Sequence, residues 1–473
     1  MKRMSAAVKP MTLAEVARAA GAKFLRGDPH LVVNSVCTDT RKLSPGELFF
    51  ALRGERYDAH DFLDRAVAAG AAGLVVSRLP AALPAGVPVL LVEDTLAALQ
   101  KLARYNREQF TLPVVAVTGS AGKTTAKDMI AAVLESRFVT LKTKGNLNNE
   151  IGLPLTLLEL NGRHGAAVVE MAMRGPGEID ALCRVALPTA GVITSIGEAH
   201  LERLGTVENI ARAKGELLAH IGEDGFAFLN AHSPYVREQA ARCRGRVFYF
   251  GFGEGADVRA AGIRFEGRST LFSVVLPGEE FAVALPLPGE HNVLNALAAA
   301  GVGWALGLDA AQIKKGLERV ALTGMRTEIV ERAGVTVIND AYNASPASVR
   351  AALGVLAQVA GERRKIAVLG NMLELGEFAR PAHYGIGGDV LAAGVDCLVT
   401  VGDLARFIAE GAREKGFPAD GIRECSGTEE AAAALRELLA PGDVLLVKGS
   451  RGMRMEKIIE ALFKEKLSSG WPS

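Results

Sequence analysis

Val114-Val-Ala-Val117-Thr118-Gly119-Ser120-Ala121-Gly122-Lys123-Thr124-Thr125 decides how the centre of the chain is built. Val114–Val117 is a short apolar run, as expected of a buried strand. After the turn, Ala126, Met129, Ile130, Val133 and Leu134 recur at the spacing of one helical face. A Gly-rich turn between strand and helix, ending in Lys-Thr-Thr, reads as a phosphate-binding loop. Gly119 and Gly122 permit dihedrals that aim backbone N–H groups at phosphate oxygens. The helix start adds partial positive charge. Lys123 reaches the terminal phosphates, and the Thr124 hydroxyl suits Mg²⁺. The usual loop has a further Gly where Val117 stands, so this is a shortened form. A lysine followed by two threonines at a helix start has no packing rationale, which argues against a turn without a ligand.

The same rim collects other polar groups. Ala166–Glu170 reads as a buried strand ending on a carboxylate. In a parallel sheet that end faces the phosphate loop, where a carboxylate can hold Mg²⁺. His200 follows the strand Gly191–Ser195 and can reach this rim, although a lone His is more often structural. Lys214 falls in a helix over Val207–His220, where a lysine taken by itself reads as a surface charge.

Three segments emerge from the whole chain of 473 residues, matching about 150 residues per domain. The first runs to about Gln109, with a βαβ unit from Leu48–Leu52, Asp61–Ala69 and Gly73–Ser77. Helices are expected at Thr12–Ala20 and Thr95–Gln109, and a Pro-rich loop at Leu79–Val87. The second segment adds a strand at Phe138–Leu141, an alternating stretch, Arg246–Leu287, that suggests an antiparallel meander, and a helix over Asn292–Leu306. The third starts near Gly324 and alternates strands (Val335–Asn339, Lys365–Leu369, Cys397–Val401, Val444–Val447) with helices (Pro346–Val359, Leu404–Lys415, Glu429–Leu439). That alternation predicts a doubly wound parallel sheet, so the fold class is α/β throughout.

Composition excludes several classes. Lys+Arg total 54 against 53 Asp+Glu, so no polycation is present to hold nucleic acid by phosphate neutralisation. No apolar run approaches the roughly 18 residues of a membrane span. The N-terminus lacks a continuous apolar segment, being broken by Pro10, Glu15 and Arg18. Cys37, Cys183, Cys243, Cys397 and Cys425 form no CxxC pair and read as thiols in a reducing compartment. The expectation is a cytoplasmic protein.

With these residues in place, the chain resembles the Mur ligases, ATP-dependent amide-forming enzymes of peptidoglycan synthesis. Gly119-Ser-Ala-Gly122-Lys123-Thr124 resembles the family's nucleotide motif, and Glu170, His200 and Lys214 match its metal-site residues in order. Gly289-Glu-His291-Asn292-Val-Leu-Asn295 resembles its segment near adenine. Gly145-Asn146-Leu-Asn148-Asn149-Glu150 and Asp340-Ala-Tyr342-Asn343-Ala-Ser-Pro346 resemble the branch that adds D-alanyl-D-alanine. Met372-Leu-Glu374-Leu-Gly376-Glu377 and Lys448-Gly-Ser450-Arg451-Gly-Met-Arg454 complete the pattern, and Asp39-Thr40-Arg41 resembles its UDP-sugar site. The chain departs from the family at Thr40, Ala59 and Asn371, where Ser, Gly and Asp are usual. Thr keeps the hydroxyl, whereas Asn371 removes a charge beside the third domain's edge of the site.

The resemblance implies three domains: residues 1–110 bind the UDP-sugar, 111–323 form a P-loop domain with a parallel sheet and a small antiparallel one, and 324–473 form a Rossmann-like ligase domain. It implies UDP-MurNAc-tripeptide, D-Ala-D-Ala and ATP as substrates, an acyl phosphate intermediate, and a pentapeptide product. Two Mg²⁺ ions are implied, one on Thr124 and Glu170, the other on His200 and Lys214 carbamylated by CO₂. ATP would meet Gly119, Gly122, Lys123, Thr124, Thr125, His291, Asn292, Asn295, Arg326, Asp340, Tyr342 and Asn343. The UDP-substrate would meet Asp39, Thr40, Arg41, Asn146, Asn148 and Asn149, and the amine would enter near Asn371, Glu374, Lys448, Ser450 and Arg451. The rivals are a sibling ligase adding the third amino acid, a folate polyglutamylating ligase and a nucleotide-switched binding protein. A monomer is the default expectation, and diaminopimelate and lysine stay open as the third residue of the tripeptide.

Overall fold

Apolar strand runs alternate with helices through most of the chain. The computed structural model, which describes residues 5–54, 56–79, 86–198, 201–322 and 324–468, gathers these strands into three sheets of six, nine and six strands among the described residues. The nine-stranded sheet positions the site. Its order is Glu279–Leu285, Ser269–Leu276, Val258–Glu266, Arg246–Phe252, Phe226–Asn230, Ala190–Ile193, Val114–Thr118, Ala166–Glu170 and Thr140–Lys142. Val114–Thr118 and its two neighbours are buried along their whole length, as parallel strands covered on both faces must be. Val117 pairs in register with Glu170, and Thr118 with Ile193, so three strands end on one rim.

The expected meander is corrected at its first strand. Arg246–Phe252 runs parallel both to Phe226–Asn230 and to Val258–Glu266, and only the last three strands are antiparallel. Alternation along a strand reports which faces are buried, not the direction of its partner. Ser269–Leu276 shows that alternation fully, with every second residue buried.

The third sheet has the order Glu328–Arg332, Val335–Asp340, Val444–Lys448, Lys365–Gly370, Cys397–Val401, Ile422–Cys425. Five strands are parallel, as expected of a doubly wound sheet, but Glu328–Arg332 joins the edge as an antiparallel hairpin. Its charged sequence, Glu-Ile-Val-Glu-Arg, hides it from a search for apolar runs. Parallel strands place Asp340 and Lys448 at one end, side by side in register.

In the first sheet, Leu48–Phe50 and Gly73–Val76 pair in parallel, as the βαβ unit requires. The crossover is a 3₁₀ turn, Ala59–Phe62, followed by the helix Leu63–Ala68, not one helix from Asp61. Asp58 imposes this start by accepting from His60 N–H at 2.9 Å. The strands Ser5–Thr12, Lys23–Arg26 and Val32–Cys37 join the sheet without having been expected. Within the Pro-rich stretch Leu79–Val87, residues 80–85 lie outside the described residues. One continuous apolar cluster, including Leu13, Leu102, Leu157 and Val169, links this sheet to the central one. Among the described residues, no helix is long and apolar enough to cross a membrane.

Candidate active site

The phosphate loop is pressed between two elements. Gly119 has φ 151° and Gly122 φ 81°, a region that side chains with a Cβ rarely adopt. A Cβ at Gly119 would lie 2.0 Å from Thr194 Oγ1, and one at Gly122 2.7 Å from Asn295 Oδ1. Ser120 N–H donates to Ser195 O and Ala121 N–H to Ser195 Oγ, both at 2.9 Å. The helix Lys123–Leu134 starts directly after Gly122. Lys123 Nζ folds back and donates to Gly119 O at 2.7 Å. Burial pushes the Lys123 ammonium below its ordinary pKa; Glu170 opposes this and Arg326 adds to it.

Beside the loop, Thr124 Oγ1 donates to Glu170 Oε2, and Asn148 Nδ2 to Glu170 Oε1, each at 2.7 Å. Glu170 N–H donates to Thr143 Oγ1, which fixes the strand end. Both Thr124 and Glu170 are buried. A hydroxyl and a carboxylate at a helix start are hard oxygen donors, and they fit Mg²⁺ shared with phosphate and water. Among the described residues, no cluster of three or more His, Cys, Asp or Glu forms. His200 lies outside the described residues. Lys214 is buried rather than on the surface, and burial, with Lys123 nearby, drives its pKa well down. Burial favours the uncharged amine, the form that reacts with CO₂, and Lys214 itself is not part of the cavity wall.

These groups open onto a cavity of ≈ 660 Å³. Gly122, Lys123, Thr124, Thr125, Asn146, Asn148, Asn149, Glu170, His291 and Asn295 line it from one side. Arg326, Asp340, Tyr342, Asn343, Glu374 and Lys448 line it from the other. Lys448 Nζ donates to Asp340 Oδ2 at 2.6 Å and to Asn343 O at 2.9 Å. The Arg326 guanidinium lies 4.2 Å from the centre of the Tyr342 ring, and among the described residues its buried Nε has no hydrogen-bond partner. Met325 (φ 61°) and Thr327 (φ 49°) flank Arg326 in the left-handed region, a strained backbone for residues other than Gly. Burial pushes His291 down to about 4, with Asp340 opposing and Lys448 adding, so its ring is neutral at neutral pH.

Other expected residues lie off the wall. Gly119 shapes the loop from behind, and Asn292 donates to Pro288 O at 2.7 Å. Asn371 Oδ1 accepts from Leu404 and Ala405 N–H, and Ser450 Oγ accepts from Leu373 N–H. Arg451 pairs with Glu456 at 2.8 Å. Asp39, Thr40 and Arg41 lie in the first sheet's unit, where Arg41 donates to both Asp39 oxygens and holds that carboxyl below its usual range. Residues that were not expected also line the cavity, among them Arg174, Glu178, Ser195, Asn230 and Ser348. Asn230 ends a buried strand, the same signal that marks Glu170; Arg174 carries no local signal.

Comparison with known proteins assigns this architecture. Three family models match: "Mur ligase family, catalytic domain" over residues 32–107, "Mur ligase middle domain" over 117–303, and "Mur ligase, glutamate ligase domain" over 325–451. The chain is 40% identical to the UDP-N-acetylmuramoyl-tripeptide–D-alanyl-D-alanine ligase of Bacillus subtilis, over 92% of this chain and 94% of that one. It is similar to a crystal structure of MurF from Acinetobacter baumannii, with TM-score 0.89 and 35% identity, over 97% of this chain and 99% of that one. A MurF ligase from Thermotoga maritima in complex with ADP matches with TM-score 0.81 and 30% identity, over 92% and 98% of the two chains.

Proposed function

The chain belongs to the Mur ligase family, and from that premise we propose that it uses ATP to join D-alanyl-D-alanine to UDP-N-acetylmuramoyl-tripeptide, as a monomer in the cytoplasm. The observation that carries this reading is the convergence of phosphate loop, buried carboxylate and third-unit cations on one cavity.

Amide formation from a free carboxylate requires activation. A carboxylate oxygen of the tripeptide attacks the γ-phosphorus of ATP, the bond to ADP breaks, and an acyl phosphate forms. Two anions meet in this step, and Lys123, the helix start and Arg326 offset their repulsion. Thr124 and Glu170 would hold one Mg²⁺, and His200 with carbamylated Lys214 a second. Bound there, the metal neutralises phosphate charge. The dipeptide's neutral amine then attacks the acyl carbon. Phosphate leaves with the former carboxylate oxygen and takes the amine's proton.

The roles divide along the cavity. His291, Asn295, Asp340, Tyr342 and Asn343 hold adenine and ribose. Asp39, Thr40 and Arg41 hold the UDP end, while Asn146, Asn148 and Asn149 bind amide and sugar oxygens without adding charge near the reacting carboxylate. Glu374 faces the dipeptide's ammonium, which releases one proton to solvent before its neutral form attacks. Closing the two walls together excludes water, which otherwise hydrolyses the acyl phosphate.

The test is phosphate release with Mg-ATP, UDP-MurNAc-tripeptide and D-Ala-D-Ala, omitting each in turn and weighing the product. Release that needs all three, with a pentapeptide product, is expected. Product formed from UDP-MurNAc-dipeptide and a single amino acid would assign the sibling activity. ATP binding without any amide would assign a switch.

A further inference from the structure

His383 is fully buried in the helix Ala379–Ala392 and has no part in the mechanism above. Its Nδ1 lies 2.6 Å from Ala379 O, which can only accept, so Nδ1 carries the proton. Its Nε2 is then an acceptor, and it takes the Met372 N–H at 2.9 Å. Accepting at Nε2 requires the neutral ring, and burial lowers the ring's pKa in the same sense, with the Ala379 carbonyl opposing. Met372 is the second residue of the loop after the strand Lys365–Gly370, and two residues later Glu374 reaches the cavity. The next amide, Leu373 N–H, is held by Ser450 Oγ at 2.9 Å. Two of the loop's amides are thus held by side chains rather than by a sheet ladder, while Asn371 O and Glu374 O accept from the backbone N–H groups of Ser450 and Glu202. Glu374 sits at φ 65°, a conformation that persists only where its surroundings over-determine it.

We propose that His383 is a positioning residue for the dipeptide substrate: its Nε2 holds Met372 and so fixes the loop that presents Glu374, resting on the reading of Glu374 as the partner of the dipeptide's ammonium. Two isosteric replacements separate the ring's two bonds. His383→Asn keeps a donor near Nδ1 and removes the acceptor for Met372. His383→Gln places an amide oxygen near Nε2 and restores it. In steady-state assays of the full chain, His383→Asn raises KM for D-Ala-D-Ala about tenfold, since it leaves a buried N–H without a partner. His383→Gln stays within about threefold of the parent, and KM for ATP and for UDP-MurNAc-tripeptide stays within about twofold in both. Glu374→Gln raises the same KM, and His383→Asn adds little on top of it.

Equal effects of Asn and Gln, or an effect spread over all three KM values, would overturn the proposal. Loss of fold in both variants, read by thermal unfolding, would assign His383 to structure alone and overturn it too. A raised KM in Glu374→Gln with none in His383→Asn overturns this inference and leaves the reading of Glu374 standing. No change in Glu374→Gln overturns that reading and this inference with it.

Discussion

Lys123 and Lys448 face one cavity from opposite walls, but Lys123 donates to the neutral carbonyl of Gly119, whereas Lys448 is held by the Asp340 carboxylate and Asn343 O. Burial makes the Lys123 ammonium costly, so an arriving phosphate relieves it. The charge of Lys448 is already neutralised, and its bonds tie together the segment that carries Asp340, Tyr342 and Asn343. One wall is arranged for a charge that has yet to arrive; the other is arranged to hold its own shape.

The largest expected effect separates these roles. Lys123→Ala lowers amide formation about 100- to 1,000-fold, as loss of one preorganised charge donor does. Its melting temperature holds or rises, because a buried ammonium is removed. Lys448→Met is expected to behave in the opposite sense. It strands the Asp340 carboxylate and destabilises the third unit by about 3 kcal/mol, read by thermal unfolding. If Lys123→Ala lost stability and Lys448→Met kept it, the contrast between the walls would be gone.

A pH scan sharpens the comparison at His291, which lines the Lys123 wall and feels Asp340 and Lys448 on the other. Its folded pKa of about 4 is below the ordinary 6.5, so the unfolded chain binds more protons between those values. The resulting stability is present above 6.5 and is lost as pH falls towards about 4. His291→Asn flattens the dependence of melting temperature on pH in that window. Part of the slope survives, because His383 is shifted in the same direction. The smallest effect belongs to Asn371→Asp. The new carboxylate keeps the acceptor for Leu404 and Ala405 N–H and adds a negative charge near a helix start. Stability rises by about 0.5 kcal/mol, while the ligation rate stays nearly unchanged.

The two walls also differed in how far they were legible. The phosphate loop announces itself because strand, glycines, lysine and helix face are contiguous, and Glu170 follows from one rule about strand ends. Asp340 and Lys448 end strands as well, but their pairing is a matter of sheet order, which local sequence does not carry. Arg326 and Glu374 were legible only through resemblance, since both lie in segments with left-handed non-Gly backbone. Lys214 looked like a surface charge because its burial comes from the packing of distant helices around Val207–Ala219. The antiparallel edge Glu328–Arg332 and the strand Ser5–Thr12 escaped because they lack a clean apolar run.

The central claim is that the tripeptide carboxylate is activated by phosphoryl transfer at the Lys123 wall. Its most direct test follows ¹⁸O from a labelled carboxylate during turnover with D-Ala-D-Ala and Mg-ATP. Each phosphate released should carry one labelled oxygen, because the bond broken at amide formation is the one between that oxygen and the acyl carbon. Unlabelled phosphate alongside pentapeptide would contradict an acyl phosphate and the division of labour drawn from it.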